Sequence, residues 1–284
     1  MSVPDLLSIL PHRPIITVVD IGAMSLGEGS DPYQPLIDAG IANIIGFEPV
    51  EEEHAKLQAM AQPGRTYLPY AIGDGSVQTF NICNFAMTSS LLRPNHRLTD
   101  HFTGLSEVMQ VVKSVEMKTH RLDDIPEVRK TDFLKIDIQG AELQVFQSAK
   151  HVLANTLLVQ SEVEFAQLYE NQPLFSEIEQ FMRSIGLPFH AFTGMCGRPL
   201  RPMAFTPDMP GASFSQVLWT DAYFLRDFTT FDNMGPDPLL KTALLAHYIC
   251  NSVDVAYRCL LIYDKLMSTT VATKYPGIFN QRPS

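Results

Sequence analysis

Two short apolar runs, each ended by an aspartate and a nearby glycine, constrain this chain more than anything else in it. The first is IITVVDIGA, residues 15–23; the second is DFLKIDIQGAELQVF, residues 132–146. Both are apolar nearly throughout rather than alternating, so each reads as a strand buried on both faces. The first ends at Asp20 and Gly22. The second ends at Asp137, turns at Gly140 and opens a helix that carries Glu142. In a chain that alternates strands with helices, acids at strand ends mark the crevice beyond the carboxyl edge of a parallel sheet, where small ligands bind.

The rest of the chain supports that alternation. YQPLIDAG (33–40) predicts a short helix stopped by Gly40, IANIIGFEPV a second buried strand, and EEEHAKLQAMA a helix whose first-turn acids suit its dipole. TYLPYAIGDG reads as a third strand and VQTFNIC as an antiparallel or edge strand. Residues 84–112 are polar and turn-rich, an irregular loop with a short helix. VEMKTHRL, the 132–138 strand, a helix over 141–150, LLVQSEVEF, the helix LFSEIEQFMRSIGL, PFHAF and SQVLWTDAYFLRD follow, with a Pro-rich loop at 199–210. This pattern predicts a mostly parallel α/β sheet with helices on both faces. From Pro236 the pattern turns all-helical and reads as a hairpin of two helices broken near Asn251 and Ser252. The expected division is a domain over residues 1–228 and a helical extension over 229–284.

Composition removes some function classes. A net charge of −10 argues against a large nucleic-acid footprint, which needs clustered Lys and Arg. The 4 cysteines form no C-x-x-C pair, so neither a zinc site nor a disulfide framework is expected. No signal peptide and no membrane-spanning apolar run are read, which makes the cytoplasm the expected compartment.

VVDIGAMSLGE can be set against the dinucleotide fingerprint G-x-G-x-x-G. Gly22 and Gly27 fill its first and third positions, but Met24 stands where the second glycine lets the backbone approach a pyrophosphate. That substitution favours a nucleoside ligand without phosphates, such as S-adenosylmethionine, over a nicotinamide dinucleotide. Glu48, at the end of the second strand in GFEP, is then the carboxylate for the ribose hydroxyls. Asp20 could hold the methionine end of the ligand, directly or through water, and Asp74 could contact the adenine edge; Gly22, Ala23 and Pro49 complete the candidate cofactor-binding residues. Each has a plainer reading: a strand-ending turn for Asp20 and Gly22, a helix-start acid for Glu48, a Gly-Asp-Gly turn for Asp74.

On the second motif, alternation puts Lys135, Asp137 and Gln139 on one strand face, and Gln160, Glu162 and Glu164 on one face of the next strand. Here the residues resemble a known family. KIDIQGAE (135–142), with VVDIGA and GFEP, is similar to FkbM-type S-adenosylmethionine-dependent methyltransferases. TSSLL (88–92), HRLDDI (120–125), SEVEF (161–165) and WTDAYF (219–224) also resemble blocks of that family. The resemblance spans roughly residues 15–226 and implies a Rossmann-like class I methyltransferase sheet, S-adenosylmethionine as donor, and transfer to an oxygen, often a hydroxyl of a sugar or a polyketide-like product.

The acceptor hydroxyl is a weak nucleophile, so the chemistry calls for alignment, exclusion of water and a proton acceptor. Asp137 is the first candidate for that base, with an ion pair to Lys135 as its structural alternative. Glu142 could orient the acceptor or act only as a first-turn dipole acid. Glu164 with Asp137 could complete an oxygen-ligand site for a divalent metal, the lesser alternative to a side-chain base. His96, His101, His120 and His190 read better as surface or core histidines, and Asp221 and the Ser89–Ser90 pair are as readily structural as functional. Acceptor specificity is expected in 84–112 and 193–215. The partner is therefore a small-molecule or glycan acceptor, with no nucleic acid or membrane. Two rival readings are an NAD(P)-dependent oxidoreductase, opposed by Met24 and by the lack of a Tyr-x-x-x-Lys pair, and a non-catalytic scaffold that dimerises through the C-terminal helices.

Overall fold

The computed structural model describes residues 4–23, 31–60, 62–203 and 216–279. The chain opens with β1 (Ile16–Ile21), α1 (Gln34–Asp38), β2 (Ala42–Phe47), α2 (Glu51–Ala59) and β3 (Arg65–Leu68). An insertion follows, made of β4 (Ala71–Ile72), β5 (Val77–Cys83), α3 (His96–Thr99) and β6 (Val111–His120). Then come β7 (Phe133–Ile136), α4 (Glu142–Ser148), α5 (Lys150–Asn155), β8 (Leu158–Glu164), α6 (Phe175–Ser184), β9 (Phe189–Cys196) and β10 (Trp219–Leu225). The last helices are α7 (Pro236–Tyr248), α8 (Val253–Met267) and α9 (Val271–Ile278).

Seven strands form one sheet in the order β3-β2-β1-β7-β8-β10-β9. Only β10 runs against its neighbours. This is the mostly parallel, Rossmann-like sheet expected from the resemblance. The chain builds outward from β1 to β3, then returns to place β7 on the other flank of β1. The strand order therefore reverses between β1 and β7, and a crevice must open beyond their carboxyl ends. The insertion forms a small sheet, β4-β6-β5, beside that edge.

Pleating sorts the strand residues between two cores. Val19, Ile45, Leu134, Val159 and Phe224 face one side, packed under α4, α5 and α6. Ile16, Val18, Phe133, Leu158 and Leu225 face the other, packed under α7, α8 and α9. On this second side the apolar residues occupy only the amino-terminal half of the parallel strands. Beyond them the same face continues as Asp20, Lys135 and Gln160. The C-terminal helices thus cover the apolar half and leave the polar half to the crevice. Lys241 of α7 ties the helices to the amino-terminal edge of the sheet, 3.0 Å from Asp132, whose carboxylate also accepts from Thr17 N at 2.9 Å.

Three expectations need correction. TYLPYAIGDG is two strands in different sheets, because Pro69 has no N–H to continue the ladder. The helix after the second motif breaks at Ala149 and restarts as α5. The C-terminal region has three helices, since Tyr275 and Ile278 bury into the core across the Pro276–Gly277 pair, which reads as a helix breaker in sequence. Among the described residues no helix is long and apolar enough to cross a membrane.

Leu244 of α7 is fully buried. Leu244→Ala should lower stability by about 2–5 kcal/mol in urea denaturation. Leu266→Ala, on the outside of α8 and 51% exposed, should change it by less than about 0.5 kcal/mol. Equal effects would mean that α7 is not part of the main core.

Candidate active site

The crevice is built by the ends of β1, β2 and β7, and its tightest point is Gly22. A Cβ there would sit 2.0 Å from the Asp137 carbonyl oxygen, and φ is +80°. No side-chain-bearing residue allows the two strands to close this way. Just below, Asp20 and Lys135 are register partners on β1 and β7, and their side chains form an ion pair at 3.2 Å. Tyr33 donates to the other Asp20 oxygen at 2.8 Å. Burial works against the Lys135 charge, but Asp20 and Asp137 outweigh it and hold the ammonium above its ordinary pKa. Asp20 is therefore a buried anchor for Lys135, and of the two it is Lys135 that lines the cavity.

The cavity runs from Gly22 along Phe47, Glu48 and Pro49 to Tyr70, Ile72 and Phe80. Glu48 is 4% exposed. One of its oxygens accepts from Val50 N at 2.8 Å; the other has no hydrogen-bond partner among the described residues. Burial pushes its pKa up to about 7, against the pull of the Val50 N–H. A half-satisfied acceptor in an apolar slot suits a pair of ribose hydroxyls. Among the described residues Lys135 is the only cation lining the slot, and it is already paired with Asp20. The residues present therefore fit S-adenosylmethionine. Met24 and Gly27, on which the fingerprint comparison turned, lie outside the described residues.

Two expected contacts fall elsewhere. Ala23 donates its N–H to Phe47 O at 3.1 Å and packs against Leu57 and Tyr67. Asp74 does not line the cavity: its carboxylate accepts from Ser76 N, Ser76 Oγ and Gln78 on one oxygen and from Gln144 on the other, which holds its own turn. The far wall comes instead from Tyr70, stacked on His120 at 4.5 Å, and from Ile72. His96, His101 and His190 do not line it.

Asp137 lines the cavity beside Gly22. After Ile138 the chain makes a left-handed turn, with φ +61° at Gln139 and +104° at Gly140. Glu142 ties it down, one oxygen accepting from Ile138 N at 2.9 Å and Gly140 N at 3.2 Å. Glu142 is thus a turn-holding acid, fully buried behind the site, rather than an acceptor-orienting group. Gly140 suits this turn by its φ, and a Cβ there would also crowd the Gln172 amide at 2.7 Å. Glu164 is 1% exposed and lies outside the cavity. Burial, with the charge of Glu142 beside it, raises its pKa strongly. Glu162 takes the place expected of Glu164: the Gln139 amide reaches Asp137 at 2.9 Å and Glu162 at 2.7 Å. Register explains the choice. Ile136 pairs with Ser161, so Asp137 falls beside Glu162, which pairs in turn with Asp221 on β10. Among the described residues no group of three His, Cys, Asp or Glu is arranged to hold a metal ion.

Tyr33, Gln139 and Tyr169 join the site without having been singled out for it. Tyr33 and Tyr169 act through a hydroxyl reaching across from another element, which no local pattern encodes. Gln139 stands inside the motif itself, where its position after Asp137 was the available signal.

A parallel sheet with this order, a phosphate-free nucleoside slot at its switch point and an acid on the adjoining turn define an S-adenosylmethionine-dependent methyltransferase. Residues 20–187 match the family model described as "Methyltransferase FkbM domain", and the chain belongs to that family. The chain is 24% identical over 204 residues to the 2-O-methyltransferase NoeI of Sinorhizobium fredii (strain NBRC 101917 / NGR234), covering 62% of this chain and 79% of that one. Among solved structures it is similar to magnesium protoporphyrin IX methyltransferase (ChlM) from Synechocystis PCC 6803 with bound SAM, at 12% identity and TM-score 0.38, over 78% of this chain and 74% of that one. It is also similar to 1,6-didemethyltoxoflavin-N1-methyltransferase of Burkholderia thailandensis, at 9% identity and TM-score 0.34, over 76% and 72%.

The raised Glu48 pKa carries a stability signature. A carboxyl that titrates near 7 when folded and near 4.5 when unfolded favours the fold fully below the lower value and loses that contribution as pH rises through the upper one. Glu48→Gln removes the dependence. Its stability relative to the parent should therefore grow between about pH 4.5 and 7 and then level off, by on the order of 3 kcal/mol. Denaturant melts across pH check this, and a pH-independent difference would refute the buried ionised state.

Proposed function

We propose that this chain methylates a hydroxyl oxygen of a sugar, glycan or small natural product. The observation that carries the reading is Asp137, a carboxylate lining the cavity within the same turn that closes on Gly22. The 2-O-methyltransferase named among its relatives supports oxygen as the receiving atom.

Bound S-adenosylmethionine supplies a methyl carbon made electrophilic by its sulfonium. The chain's own residues do the rest. The free Glu48 oxygen accepts from the ribose hydroxyls, and Phe47, Tyr70 and Ile72 flank the base with apolar surface. Lys135, kept charged by Asp20, offers the slot's cation to a carboxylate end. Asp137 accepts the proton from the acceptor hydroxyl, with Gln139 and Glu162 behind it. The β5–β6 insertion roofs the slot with Phe80, Met87 and Leu91 and keeps water from the nucleophile.

Calorimetry with S-adenosylmethionine, and incubation of methyl pyranosides with methyl-labelled donor followed by mass spectrometry, test the two halves. Glu48→Ala should weaken donor binding by about 10–100-fold, the loss of hydrogen bonds to a charged group. Asp137→Asn should leave donor binding within a few-fold and lower turnover by about 10²–10⁴-fold. Full turnover in Asp137→Asn would remove the proton-acceptor role, and label found only on nitrogen would remove O-methylation.

A further inference from the structure

Gln139 makes more contacts than a turn residue needs. Its backbone holds φ +61°, a conformation that non-glycine residues adopt rarely and at a cost. Its carbonyl accepts from Ser90 Oγ at 2.7 Å. The two N–H bonds of its amide point to two different carboxyl groups, Asp137 and Glu162. Its amide oxygen lies 2.9 Å from Tyr169 Oη, which is also 2.9 Å from Thr88 O, so the single phenolic proton serves these acceptors in turn. Tyr169 is 1% exposed and its position is fixed. A donor on that side is what aims the amide oxygen at Tyr169 and both amide hydrogens at the acids.

We propose that Gln139 is a positioning residue whose carboxamide binds the Asp137 and Glu162 carboxyl groups into one proton-holding pair, in an orientation set by Tyr169. The inference rests on the reading of Asp137 as proton acceptor and deepens it. As the acceptor oxygen bonds the methyl carbon, its O–H bond breaks and the proton joins a carboxylate oxygen of the pair. The electrons of the broken carbon–sulfur bond stay on sulfur. Two adjacent carboxylates repel, so a proton taken by the pair relieves that repulsion, which strengthens a base that a lone carboxylate would make weakly.

The surroundings agree. Glu162 faces Asp137 just beyond β7, Glu164 on its own strand, Glu142 of α4 and Asp221 of β10. Burial and these four acids all push its carboxyl well above the ordinary range. Lys135, the cation that lines the cavity with Asp137, is held by Asp20 at 3.2 Å. The only hydrogen-bond donor that reaches the Glu162 carboxyl among the described residues is the Gln139 amide.

The test follows the Glu162 carboxyl carbon by NMR of glutamate-labelled full-length protein saturated with S-adenosylhomocysteine, the signal being assigned by its loss in Glu162→Gln. Gln139→Leu should raise the Glu162 titration midpoint by about one pH unit, because an ionised carboxylate loses its donor. Asp137→Asn should lower it, because a like charge is removed. A midpoint unmoved by either substitution in folded protein overturns the proposal. Should Gln139→Leu fail to fold, Tyr169→Phe takes its place: a smaller upward displacement is expected from an amide free to rotate, and none overturns the proposal. The titration needs no acceptor and no turnover. Unimpaired turnover in Asp137→Asn would therefore sink the proton-acceptor reading while leaving the measured pairing in place.

Discussion

The cross-strand pair between Asp20 and Lys135 holds the working edge of this molecule together. β1 and β7 are neighbours only because the chain reverses its direction of sheet building at this point. Their side chains on one face would otherwise bring two acids, Asp20 and Asp137, to a shared edge. Lys135, between them, makes that edge tolerable: it pairs with Asp20 and carries its charge toward Asp137. A buried pair of this kind is weak evidence for stability, since removing two charges from water offsets most of their attraction. Its value lies in placement. It fixes the ends of two strands where Gly22 must meet the Asp137 carbonyl, and the donor slot and the motif turn both begin at that contact.

The same face explains the division of labour along the sheet. Its amino-terminal half is apolar and needs a cover, which α7, α8 and α9 provide with helices buried on several sides. Its carboxyl half is polar and cannot be buried against helices without leaving groups unpaired. The insertion between β3 and β7 covers it differently, by a hydrogen bond from Ser90 to the Gln139 carbonyl, by the Thr88 carbonyl that accepts from Tyr169, and by a wall of apolar side chains that leaves a slot. An apolar helix over that half would have removed the site; no cover at all would have left the acids in water, where Glu48 and Glu162 would titrate as ordinary carboxyls.

Much of this was legible in the sequence because it is local. Nearly unbroken apolar runs marked β1, β2 and β7, and the acids at their ends marked the crevice. Glu48, Gly22, Pro49, Lys135 and Asp137 all reach the cavity. What failed was decided by register or by contact at long range. Glu162 and Glu164 share a strand face, and alternation cannot say which stands beside Asp137; only the pairing of Ile136 with Ser161 does. Asp74 sits at the right place in the chain, but Ser76, Gln78 and Gln144 occupy its carboxylate. Glu142 looks like a helix-start acid and is one, with the added task of holding the turn N–H groups of Ile138 and Gly140.

Register also decides how the acids can be used. Asp137, Glu162 and Asp221 form one row across β7, β8 and β10, two residues beyond the row of Lys135, Gln160 and Tyr223. Three carboxyl groups in one row cannot all be charged cheaply in a half-buried setting. At least one must hold a proton, or a donor must stand between them. Gln139 is that donor, and it reaches both Asp137 and Glu162 from a left-handed backbone. Glycine would take that conformation more easily but would bring no amide. The strain at Gln139 and the row of acids thus meet in one turn, where a neutral side chain bridges carboxyl groups which the sheet brings together.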